Sequence, residues 1–414
     1  MAASICVNFM NIWYIHPYAG SPKYGMSFRP YYLAKHFNKL GHNTTVISSL
    51  KHHLCSLPFK KPGLADVEGV QYFLQNSIDY KGNGVKRLLN MLMFGLGLFR
   101  KPFRTFSKMT PPDVIIASTA HPFHLLAAKY YSKKYNAKLI LEVRDIWPLS
   151  LQELVGISKY HPLSVLINAF QKFGYKKCDH CVSLLENSES FFLNEGLKKG
   201  KFSCIPNGIE LSNEPENNSE HLSLKSELTA AVSNFDTVIG YTGALGIPNN
   251  LMPLINAAEK LKKHNIGVLL VGDGVQKKAL EERVAELQLD NVVFFGKVPK
   301  TFVPYVIESC DAMFINAMPK AIYKFGISPN KIFDYMMHDK TVFNGINSPN
   351  NPLEKAGCEI NFLANDSFSL ANKVIDFHKN KENYSVNSSE FVRLQHSYAQ
   401  LAKNYVSLME SLVR

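Results

Sequence analysis

Short runs of apolar and β-branched residues alternate with longer segments of helical periodicity along most of the chain. This alternation constrains the fold more than any other feature. In the first half, helices are predicted over Phe28–Leu40 and around Phe123–Tyr135. The predicted strands of that half are Asn11–Ile15, Thr44–Ser48, Asp113–Ser118, Lys138–Val143 and Cys181–Leu184. Buried parallel strands separated by helices are typical of a doubly wound α/β sheet, so that fold class is expected.

The alternation restarts after a junction at Leu211–Phe235, which opens with polar and acidic residues. Beyond it, the predicted helices and strands are Val238–Tyr241, Leu251–His264, Gly267–Val271, Gln276–Leu287, Val292–Phe295 and Ala312–Ile315. We therefore expect two Rossmann-like domains, residues 1–210 and 211–390, that face each other across a cleft. A C-terminal helix in residues 391–414 is expected to pack back on the first domain. In open sheets of this kind, ligands bind outside the carboxyl ends of the strands.

The charge of the chain favours an anionic partner. Its 414 residues carry a formal net charge of +12, which suits nucleic acid, anionic lipid or a phosphorylated ligand. No recognised nucleic-acid motif and no clustered aromatic and basic stretch is present, so nucleic acid is not expected as a partner. Hydrophobic residues make up 46% of the chain, which excludes disorder as its main state.

Cysteine usage indicates a reducing compartment. The seven cysteines are scattered and odd in number, and the start of the chain lacks a basic segment before an apolar core. No signal peptide and a cytoplasmic location are therefore expected. Cys178 and Cys181 are spaced like half of a zinc site, but no second close pair follows them. No metal site is predicted, and these thiols are expected to be buried or inert.

An apolar segment with basic flanks runs from Leu88 to Phe99. The flanking cations are Lys86, Arg87, Arg100, Lys101 and Arg104. The segment is shorter than the roughly 20 apolar residues of a transmembrane helix, so no membrane span is expected. Cations beside a Leu-, Met- and Phe-rich helix are typical of a helix lying in the interface of an anionic membrane. We predict such a helix over residues 85–104; the alternative is a core helix with solvated basic ends.

Two predicted strands of the second half each end in a glycine-containing loop. Gly243 and Gly246 follow one strand, and Gly272-Asp273-Gly274 follows the next. Glycine lets the backbone approach a ligand closely, and the N–H groups at a helix start attract anions. Each loop alone is also typical of a tight turn. Together they repeat an arrangement used to bind a nucleotide diphosphate.

A third segment begins at Gly326 and is predicted to open a helix. Ser328 is a favoured N-cap residue, and Pro329 suits the first helical position. Lys331 would offer a cation to a phosphate, and the Asp334 carboxylate could accept hydrogen bonds from a ribose diol. The alternative is a capped surface helix with a solvated acid.

In the order and spacing of its motifs the chain resembles the retaining glycosyltransferases of family 4, which have the GT-B fold. The subgroup that it resembles is that of the bacterial fucosamine transferases of O-antigen and capsule assembly. The motifs are Ile15-His-Pro-Tyr18, Gly25-Met-Ser-Phe-Arg29, Leu40-Gly41-His42-Asn-Thr-Thr-Val46, Val143-Arg144-Asp145-Ile-Trp147-Pro148, Ile205-Pro206-Asn207-Gly208-Ile-Glu210, Tyr241-Thr-Gly243, Val271-Gly272-Asp273-Gly274 and Ser328-Pro329-Asn330-Lys331 with Asp334-Tyr335.

The resemblance implies that the second domain binds a nucleotide-sugar donor. The implied donor-binding residues are Gly243, Ala244, Leu245, Gly272, Asp273, Gly274, Lys297, Val298, Ser328, Pro329, Asn330, Lys331 and Asp334. The family has two glutamates separated by seven residues. Asp334 matches the second of them, whereas Gly326 stands where the first is expected. The loop after Gly243 also lacks the basic residue of many relatives, so Lys331, Arg29 or the helix dipole would have to compensate.

The resemblance further implies that the first domain binds the acceptor. The implied acceptor-cleft residues are Tyr18, Gly25, Met26, Arg29 and Arg144, and the implied catalytic residues are His121, Asp145 and Lys331. His121 and Asp145 each follow a predicted strand and are expected at its carboxyl end, where a reacting sugar would lie. A capped turn at His121 and an ion pair between Arg144 and Asp145 are the structural alternatives.

The implied reaction transfers a sugar, an N-acetylated deoxyhexosamine, from a UDP-sugar to a polyprenyl-diphosphate-linked saccharide, with retention and without a metal ion. The implied setting is O-antigen or capsule biosynthesis at the inner face of the cell membrane, with peripheral attachment to its anionic surface. One alternative is a UDP-sugar 2-epimerase of the same architecture, which would have no reason for a membrane segment. Another is a non-catalytic sugar-nucleotide-binding subunit, which the absent first glutamate favours.

Overall fold

The computed structural model describes residues 9–25, 27–52, 54, 57–80, 82, 84–100, 110–211 and 219–414. The chain divides into two compact units: unit 1 comprises residues 1–210 and 398–414, and unit 2 comprises residues 211–397. The boundary predicted after residue 390 falls inside the helix Ser388–Gln395, which belongs to unit 2. The segment that returns to unit 1 therefore begins at Tyr398 and not at residue 391.

Unit 1 contains an eight-stranded sheet in the order β3-β4-β2-β1-β5-β6-β7-β8. Neighbouring strands are parallel except for the antiparallel pair β3 and β4. The strands are β1 (Asn11–Ile15), β2 (Asn43–Ser49), β3 (Gly63–Val67), β4 (Val70–Gln75), β5 (Val114–Ser118), β6 (Lys138–Val143), β7 (His180–Ser183) and β8 (Phe202–Cys204). The predicted strands of this half are confirmed, and the connections reverse direction between β1 and β5.

Five of the described α-helices of unit 1 precede unit 2 in the sequence, and the last helix follows it. They are α1 (Arg29–Lys39), α2 (Val85–Gly97), α3 (Leu125–Tyr135), α4 (Pro162–Lys177), α5 (Glu189–Asn194) and the last helix, α14 (Tyr398–Val413). Leu33 and Phe37 of α1 pack in the same apolar core as Leu401 and Tyr405 of α14. The last helix therefore completes the core of unit 1, although it follows the whole of unit 2 in sequence.

Arg29, the first residue of α1, forms an ion pair with Glu142 of β6 inside unit 1. Its Nε lies 2.9 Å from Glu142 Oε2, and the two side chains are 1% and 0% exposed. The guanidinium also donates hydrogen bonds to the carbonyl oxygens of Ile205 (2.8 Å) and Pro206 (2.5 Å). The Arg29 side chain is therefore buried and paired inside unit 1. The expectations that it faces an acceptor or compensates the charge of a diphosphate are wrong.

The Glu142 carboxylate accepts hydrogen bonds from three hydroxyl groups in addition to its ion pair with Arg29. It accepts hydrogen bonds from Tyr14 of β1 (2.8 Å), from Ser118 of β5 (2.7 Å) and from Tyr405 of α14. Burial raises the pKa of Glu142, but Arg29 and the Tyr405 hydroxyl outweigh it and hold the pKa below its usual value. The carboxylate is therefore ionised and joins three strands and two helices.

Unit 2 contains a six-stranded parallel sheet in the order β11-β10-β9-β12-β13-β14. Its strands are β9 (Thr237–Thr242), β10 (Ile266–Val271), β11 (Val292–Gly296), β12 (Ala312–Ile315), β13 (Thr341–Asn344) and β14 (Glu359–Asn361). Its helices are α6 (Ser219–Val232), α7 (Met252–Leu261), α8 (Lys277–Glu286), α9 (Val303–Glu308), α10 (Asn330–Met337), α11 (Pro352–Lys355), α12 (Ser367–Lys379) and α13 (Ser388–Gln395). Two doubly wound α/β units are thus confirmed.

Replacing Glu142 by glutamine tests the importance of the buried pair. Glu142→Gln leaves the Arg29 guanidinium buried without a counter-charge, so the free energy of unfolding of unit 1 should fall by about 3–5 kcal/mol. Both tryptophans, Trp13 and Trp147, lie in unit 1. Urea denaturation followed by tryptophan fluorescence therefore reports on this unit.

The matched control is Glu195→Gln, because Glu195 pairs with Lys172 at 3.2 Å in a more exposed position of the same unit. That substitution should cost no more than about 1 kcal/mol. Equal losses for the two variants would contradict the role assigned to Glu142.

Candidate functional site

The implied donor-binding residues of unit 2 lie in the segments after β9, β10 and β11 and at the start of α10. The sheet connections change direction between β9 and β12. The loop after β9 meets the loop after β12: Asn316 Nδ2 donates to the carbonyl oxygen of Asn250 (2.9 Å), and the Met318 N–H donates to that of Pro248 (3.1 Å). Ligands of doubly wound sheets bind at such a switch point, outside the carboxyl ends of the strands. This edge of unit 2 is the candidate donor site.

The two glycine loops of the candidate site pack backbone against backbone. Gly272 has φ +143°, and a Cβ atom there would lie 1.9 Å from the carbonyl oxygen of Gly243. A Cβ atom at Gly274 would lie 2.4 Å from the carbonyl oxygen of Leu245. Only glycine permits this approach, because any side chain would overlap the neighbouring backbone. The close packing holds Gly243 and Ala244 exposed at the strand edge.

Lys331 is the cation nearest the Gly243 loop among the donor-binding residues that the structure describes. It is half-buried, and its Nζ donates to the Tyr241 hydroxyl at 2.7 Å while lying 4.0 Å from the centre of the Tyr241 ring. A Cβ atom at Gly243 would lie 2.9 Å from the same Nζ. Burial lowers the pKa of Lys331 to about 7. An anion bound beside Lys331 would favour the protonated, charged form of this lysine.

Tyr241 connects Lys331 to the loop and was not among the predicted site residues. Its hydroxyl accepts from Lys331 and donates to the carbonyl oxygen of Ala244 at 2.8 Å. On the next turn of α10, the Tyr335 hydroxyl accepts from the Thr242 N–H at 2.9 Å. These contacts fasten α10 to the end of β9. The alternation of apolar residues along β9 gives no indication that Tyr241 has a polar role.

The helix that carries Lys331 begins later than predicted. Its first residue is Asn330, Pro329 occupies the N-cap position, and no side chain caps the helix. The prediction that Ser328 is the N-cap is therefore wrong, because Pro329 has an extended backbone conformation with ψ 138°. Ser328 and Pro329 are half-buried and Asn330 is exposed.

The two acidic residues of the candidate donor site are paired with lysines from the segment after β11. Asp334 lies 2.5 Å from Lys300 Nζ, and Asp273 lies 3.2 Å from Lys297 Nζ. The Gly274 N–H, together with Lys297, lowers the pKa of Asp273. Lys300 was not predicted. Val298, between the two lysines, is half-buried.

The implied acceptor and catalytic residues of unit 1 differ in accessibility. Tyr18 and His121 are 3% and 1% exposed, whereas Asp145, which follows β6, is exposed. Arg144 donates to His16 Nε2 (3.0 Å) and to the Ser27 hydroxyl (3.3 Å), whereas the structural alternative had paired it with Asp145. Gly25 is half-buried. Met26 lies outside the described residues.

His121 belongs to a group of buried histidines behind the carboxyl ends of β1 and β5. His16, His121 and His124 are each at most 1% exposed. Burial lowers the pKa of all three, that of His124 to about 3, and Arg144 adds to the effect on His16. The ring centre of Phe94 in α2 lies 5.9 Å from that of His121. His121 is therefore neutral and covered by α2 in this conformation.

Helix α2 is the helix predicted to lie in a membrane interface. Its buried face consists of Asn90, Phe94, Gly95 and Gly97, while Val85, Leu89 and Leu96 on the other face are 74%, 45% and 63% exposed. Arg87 contacts Tyr18 inside the unit, so it is not a solvent-facing flank as predicted. Lys101 and Arg104 lie outside the described residues. In the part of the chain that the structure describes, no helix has the length and apolarity needed to span a membrane.

Cys178 and Cys181 are buried, and burial raises the pKa of both thiols, that of Cys178 to about 12. Such thiols are poor metal ligands and nucleophiles because they stay protonated. Within the described ranges, no group of three or more His, Cys, Asp or Glu side chains could hold a metal ion.

Two protein-family models each match a part of the chain, and neither covers half of it. Residues 25–213 match Glycosyltransferase Family 4, and residues 231–329 match Glycosyl transferases group 1. The putative colanic acid biosynthesis glycosyl transferase WcaI of Escherichia coli (strain K12) is 22% identical over 234 residues. That alignment covers 55% of this chain and 56% of the relative, so the chain spans about half the length of this curated relative.

Solved structures match nearly the whole chain and identify the fold as GT-B. Sucrose-phosphate synthase from Thermosynechococcus elongatus has a TM-score of 0.71 at 13% identity, over 97% of this chain and 99% of that one. Anabaena HepE in complex with UDP-glucose has a TM-score of 0.65 at 15% identity, over 97% and 100%. WaaG, a glycosyltransferase involved in lipopolysaccharide biosynthesis, has a TM-score of 0.61 at 12% identity, over 97% and 98%.

The contact between the glycine loops generates a stability prediction. In Gly272→Ala the new methyl group meets the Gly243 carbonyl, a backbone atom that cannot move aside cheaply. Unit 2 should lose roughly 2 kcal/mol or more of unfolding free energy, measured by calorimetry. The control is Gly246→Ala, where a Cβ atom would have ordinary contacts at 3.7 and 3.8 Å and the cost should stay below about 1 kcal/mol. Equal costs at both positions would contradict the packing described.

The buried histidines generate a pH prediction. Their pKa values in the folded chain lie below the usual 6.5, so protonation favours the unfolded chain. Their contribution to stability is complete above about pH 6.5 and is lost as the pH falls, by up to about 1.4 kcal/mol per pH unit for each histidine. Urea denaturation of unit 1 at pH 7, 6 and 5 measures this slope. His124→Phe should reduce the slope and His264→Asn, in unit 2, should not; an unchanged slope in His124→Phe would refute the explanation.

Proposed function

We propose that the chain is a glycosyltransferase that uses a UDP-sugar as donor and binds it in unit 2. The observation that carries the proposal is the cradle formed by the Gly243 and Gly272 loops with Lys331 beside it. Exposed backbone next to one cation suits a diphosphate, and the solved structure of Anabaena HepE is a complex with UDP-glucose. The two glycosyltransferase family matches support the same activity.

Charge development explains why Lys331 is central to the proposed reaction. When the bond between the sugar and the diphosphate breaks, negative charge grows on the leaving diphosphate. Lys331, held by Tyr241 at the edge of the Gly243 loop, would stabilise that charge together with loop N–H groups. Because its pKa is about 7, donor binding near pH 8 should be accompanied by proton uptake. In this proposal the cation is a side chain, so activity should persist in EDTA.

Asp334 and Lys300 complete the proposed nucleotide site. The Asp334 carboxylate accepts from Lys300, and a ribose diol could replace or share that contact. Position 326, where the family has its first glutamate, is a glycine with φ +123°. A glutamate would be strained in this conformation. Backbone groups near Gly326 would therefore contact the donor sugar in place of a carboxylate.

We further propose that unit 1 binds a lipid-linked saccharide acceptor at an anionic membrane surface. An apolar surface of unit 1 would contact the membrane; it consists of Leu89, Leu96, Phe99, Leu126 and Tyr130. Leu126 and Tyr130 of α3 are 44% and 45% exposed, and the Tyr130 ring lies 5.6 Å from that of Phe99. Lys86 and Arg100 flank the surface as exposed cations. Apolar side chains beside cations match a membrane interface with anionic headgroups. Transfer with retention of an N-acetylated deoxyhexosamine in O-antigen or capsule assembly is part of the proposal, and rests on the subgroup resemblance.

A sugar-nucleotide-binding subunit without turnover is the second candidate, because Gly326 replaces the expected glutamate. The two candidates differ in one measurement: release of UDP from a UDP-sugar in the presence of membrane lipid extract. Multiple turnovers support the transferase, and stoichiometric binding without release supports the subunit. A soluble UDP-sugar product formed without acceptor would instead indicate an epimerase.

The donor assignment predicts selective stabilisation by UDP. UDP should raise the melting temperature more than GDP, CMP or TDP, because a ligand that binds only the folded state stabilises it. Lys331→Met and Asp334→Ala should each weaken UDP binding by about tenfold, corresponding to the loss of one charge-assisted hydrogen bond. Lys263→Met, an exposed lysine elsewhere in unit 2, serves as the control. Unchanged UDP affinity in both Lys331→Met and Asp334→Ala would contradict the assignment of the donor site to these residues.

If α2 contacts the membrane, substitution of two equally exposed leucines should affect vesicle binding differently. Leu96 and Leu222 are each 63% exposed, in unit 1 and unit 2 respectively. Leu96→Asp should reduce co-flotation with vesicles of phosphatidylglycerol and phosphatidylethanolamine by about tenfold or more, since burial of a leucine is worth about 2 kcal/mol. Leu222→Asp should leave flotation unchanged. Equal behaviour of the two variants would mean that α2 does not contact the membrane.

A further inference from the structure

A cavity of about 890 Å³ lies in unit 2 beside the carboxyl ends of β12, β13 and β14. It is lined from within residues 317–324, 345–351 and 361–365, by Glu354 and Glu359, and by Ser369 and Lys373 of α12. Its size is in the range of small-molecule sites. The described lining includes none of the implied donor-binding residues, but its Met318 contacts the loop after β9, so the cavity adjoins the candidate donor site without sharing those residues.

Ser348 places a hydroxyl in the cavity wall that lacks a partner. Its side chain is 5% exposed, and its Oγ has no hydrogen bond within the part of the chain that the structure describes. The loop around it is fixed, because Asn351 donates to the Ser348 carbonyl oxygen (3.0 Å) and caps α11 with its own side chain. An unsatisfied buried hydroxyl costs about 1–3 kcal/mol. The Oγ is enclosed in this rotamer, so a rotation about χ1 that turned the hydroxyl toward a bound ligand oxygen would recover that energy.

Three lysines give the cavity free positive charge. Lys320, Lys324 and Lys373 line it and are exposed, and none forms an ion pair with a described residue. Of the two lining glutamates, Glu359 has its carboxylate oxygens engaged by amide groups at 2.9 and 2.8 Å, and Glu354 is exposed. The lysines outnumber the glutamates and favour a ligand with negative charge.

The rest of the lining suits a sugar ring. Three asparagine side chains line the cavity: Asn347, Asn361 and Asn365. Asn361 Nδ2 donates to Glu359 and Asn365 Oδ1 accepts from Asn250, so the Asn347 amide, Asn361 Oδ1 and Asn365 Nδ2 are the groups that could match sugar hydroxyls. The half-buried Tyr323 presents aromatic surface, whereas Phe362 is 7% exposed and packs on Phe314. Burial raises the pKa of Tyr323, which therefore stays protonated and remains a hydrogen-bond donor. Amides, hydroxyls and aromatic faces together complement a polyhydroxylated ring better than a simple phosphate.

We propose that this cavity binds a sugar residue that carries a carboxylate. The Ser348 hydroxyl and the asparagine amides contact the sugar hydroxyls, and Lys320, Lys324 or Lys373 binds the carboxylate. Within the proposed glycosyltransferase function, on which this role rests, the acidic sugar is part of the acceptor glycan. The cavity then selects among acceptors, independently of the donor.

Saturation-transfer difference NMR on the full chain tests the proposal with glucuronate and glucose as probes. Glucuronate should give a saturable signal that exceeds that of glucose and persists in excess UDP. Ser348→Ala should weaken glucuronate binding by about fivefold, the loss expected for one hydrogen bond. Lys320→Gln combined with Lys373→Gln should weaken it by a similar factor. Lys263→Gln, which removes an exposed lysine outside the cavity, should leave the affinity unchanged.

Several results would overturn the proposal: no glucuronate signal, an equal signal from glucose, displacement by UDP, or an affinity unchanged in both cavity variants. Folding of each variant is checked by its melting temperature, and Lys320 and Lys373 are exposed enough that their replacement should not affect it. The melting shift produced by UDP is measured on the same samples. A normal UDP shift without glucuronate binding overturns the cavity assignment alone, whereas loss of the UDP shift with glucuronate binding retained counts against the donor proposal.

Discussion

The architecture of unit 1 depends on one buried ion pair, Arg29 with Glu142. Burying two charges is costly, and the cost is offset only when every hydrogen-bonding atom has a partner. Glu142 meets that condition through Tyr14, Ser118 and Tyr405, and Arg29 meets it through two backbone carbonyl oxygens. Because Tyr405 belongs to the last helix, the same cluster holds the end of the chain against the first unit. A helix separated from that unit by all of unit 2 is thereby part of its core.

Unit 2 depends on a different constraint, the absence of side chains where its two glycine loops meet. Gly272 and Gly274 allow the loops after β9 and β10 to touch through their backbones, which leaves backbone atoms at the strand edge for a ligand. Tyr241 and Tyr335 then fix the helix that carries Lys331 against the end of β9. With glycine at position 326, the proposed donor site consists of loop backbone groups, Lys331 and the Asp334–Lys300 pair, in contrast to a pair of glutamates.

The sequence predicted nine of the fourteen described strands, most of which are buried along their length and appear as apolar runs, but not the short strands β8, β13 and β14. It missed the β3–β4 hairpin, whose turn residues Glu68 and Gly69 have φ values of +50° and +81°. Arg29 was misassigned because its partner Glu142 is 113 residues away in sequence, and no local pattern reveals such a pairing. The candidate donor-binding residues were predicted from glycines, helix starts and the family resemblance, and they stay predictions. Tyr241, Tyr335 and Lys300, which contact the candidate site, were missed because their partners are distant in sequence, as with Glu142.

Hydrogen exchange measured by mass spectrometry, with and without UDP, tests the central claim most directly, because it locates the nucleotide on the chain. The account predicts slower exchange in peptides that cover residues 241–246, 271–276 and 326–335, where the loops and α10 meet. Peptides lining the adjoining cavity, such as residues 345–351, should not change. Protection confined to unit 1, or protection of 345–351 without the glycine loops, would contradict the donor site described for unit 2.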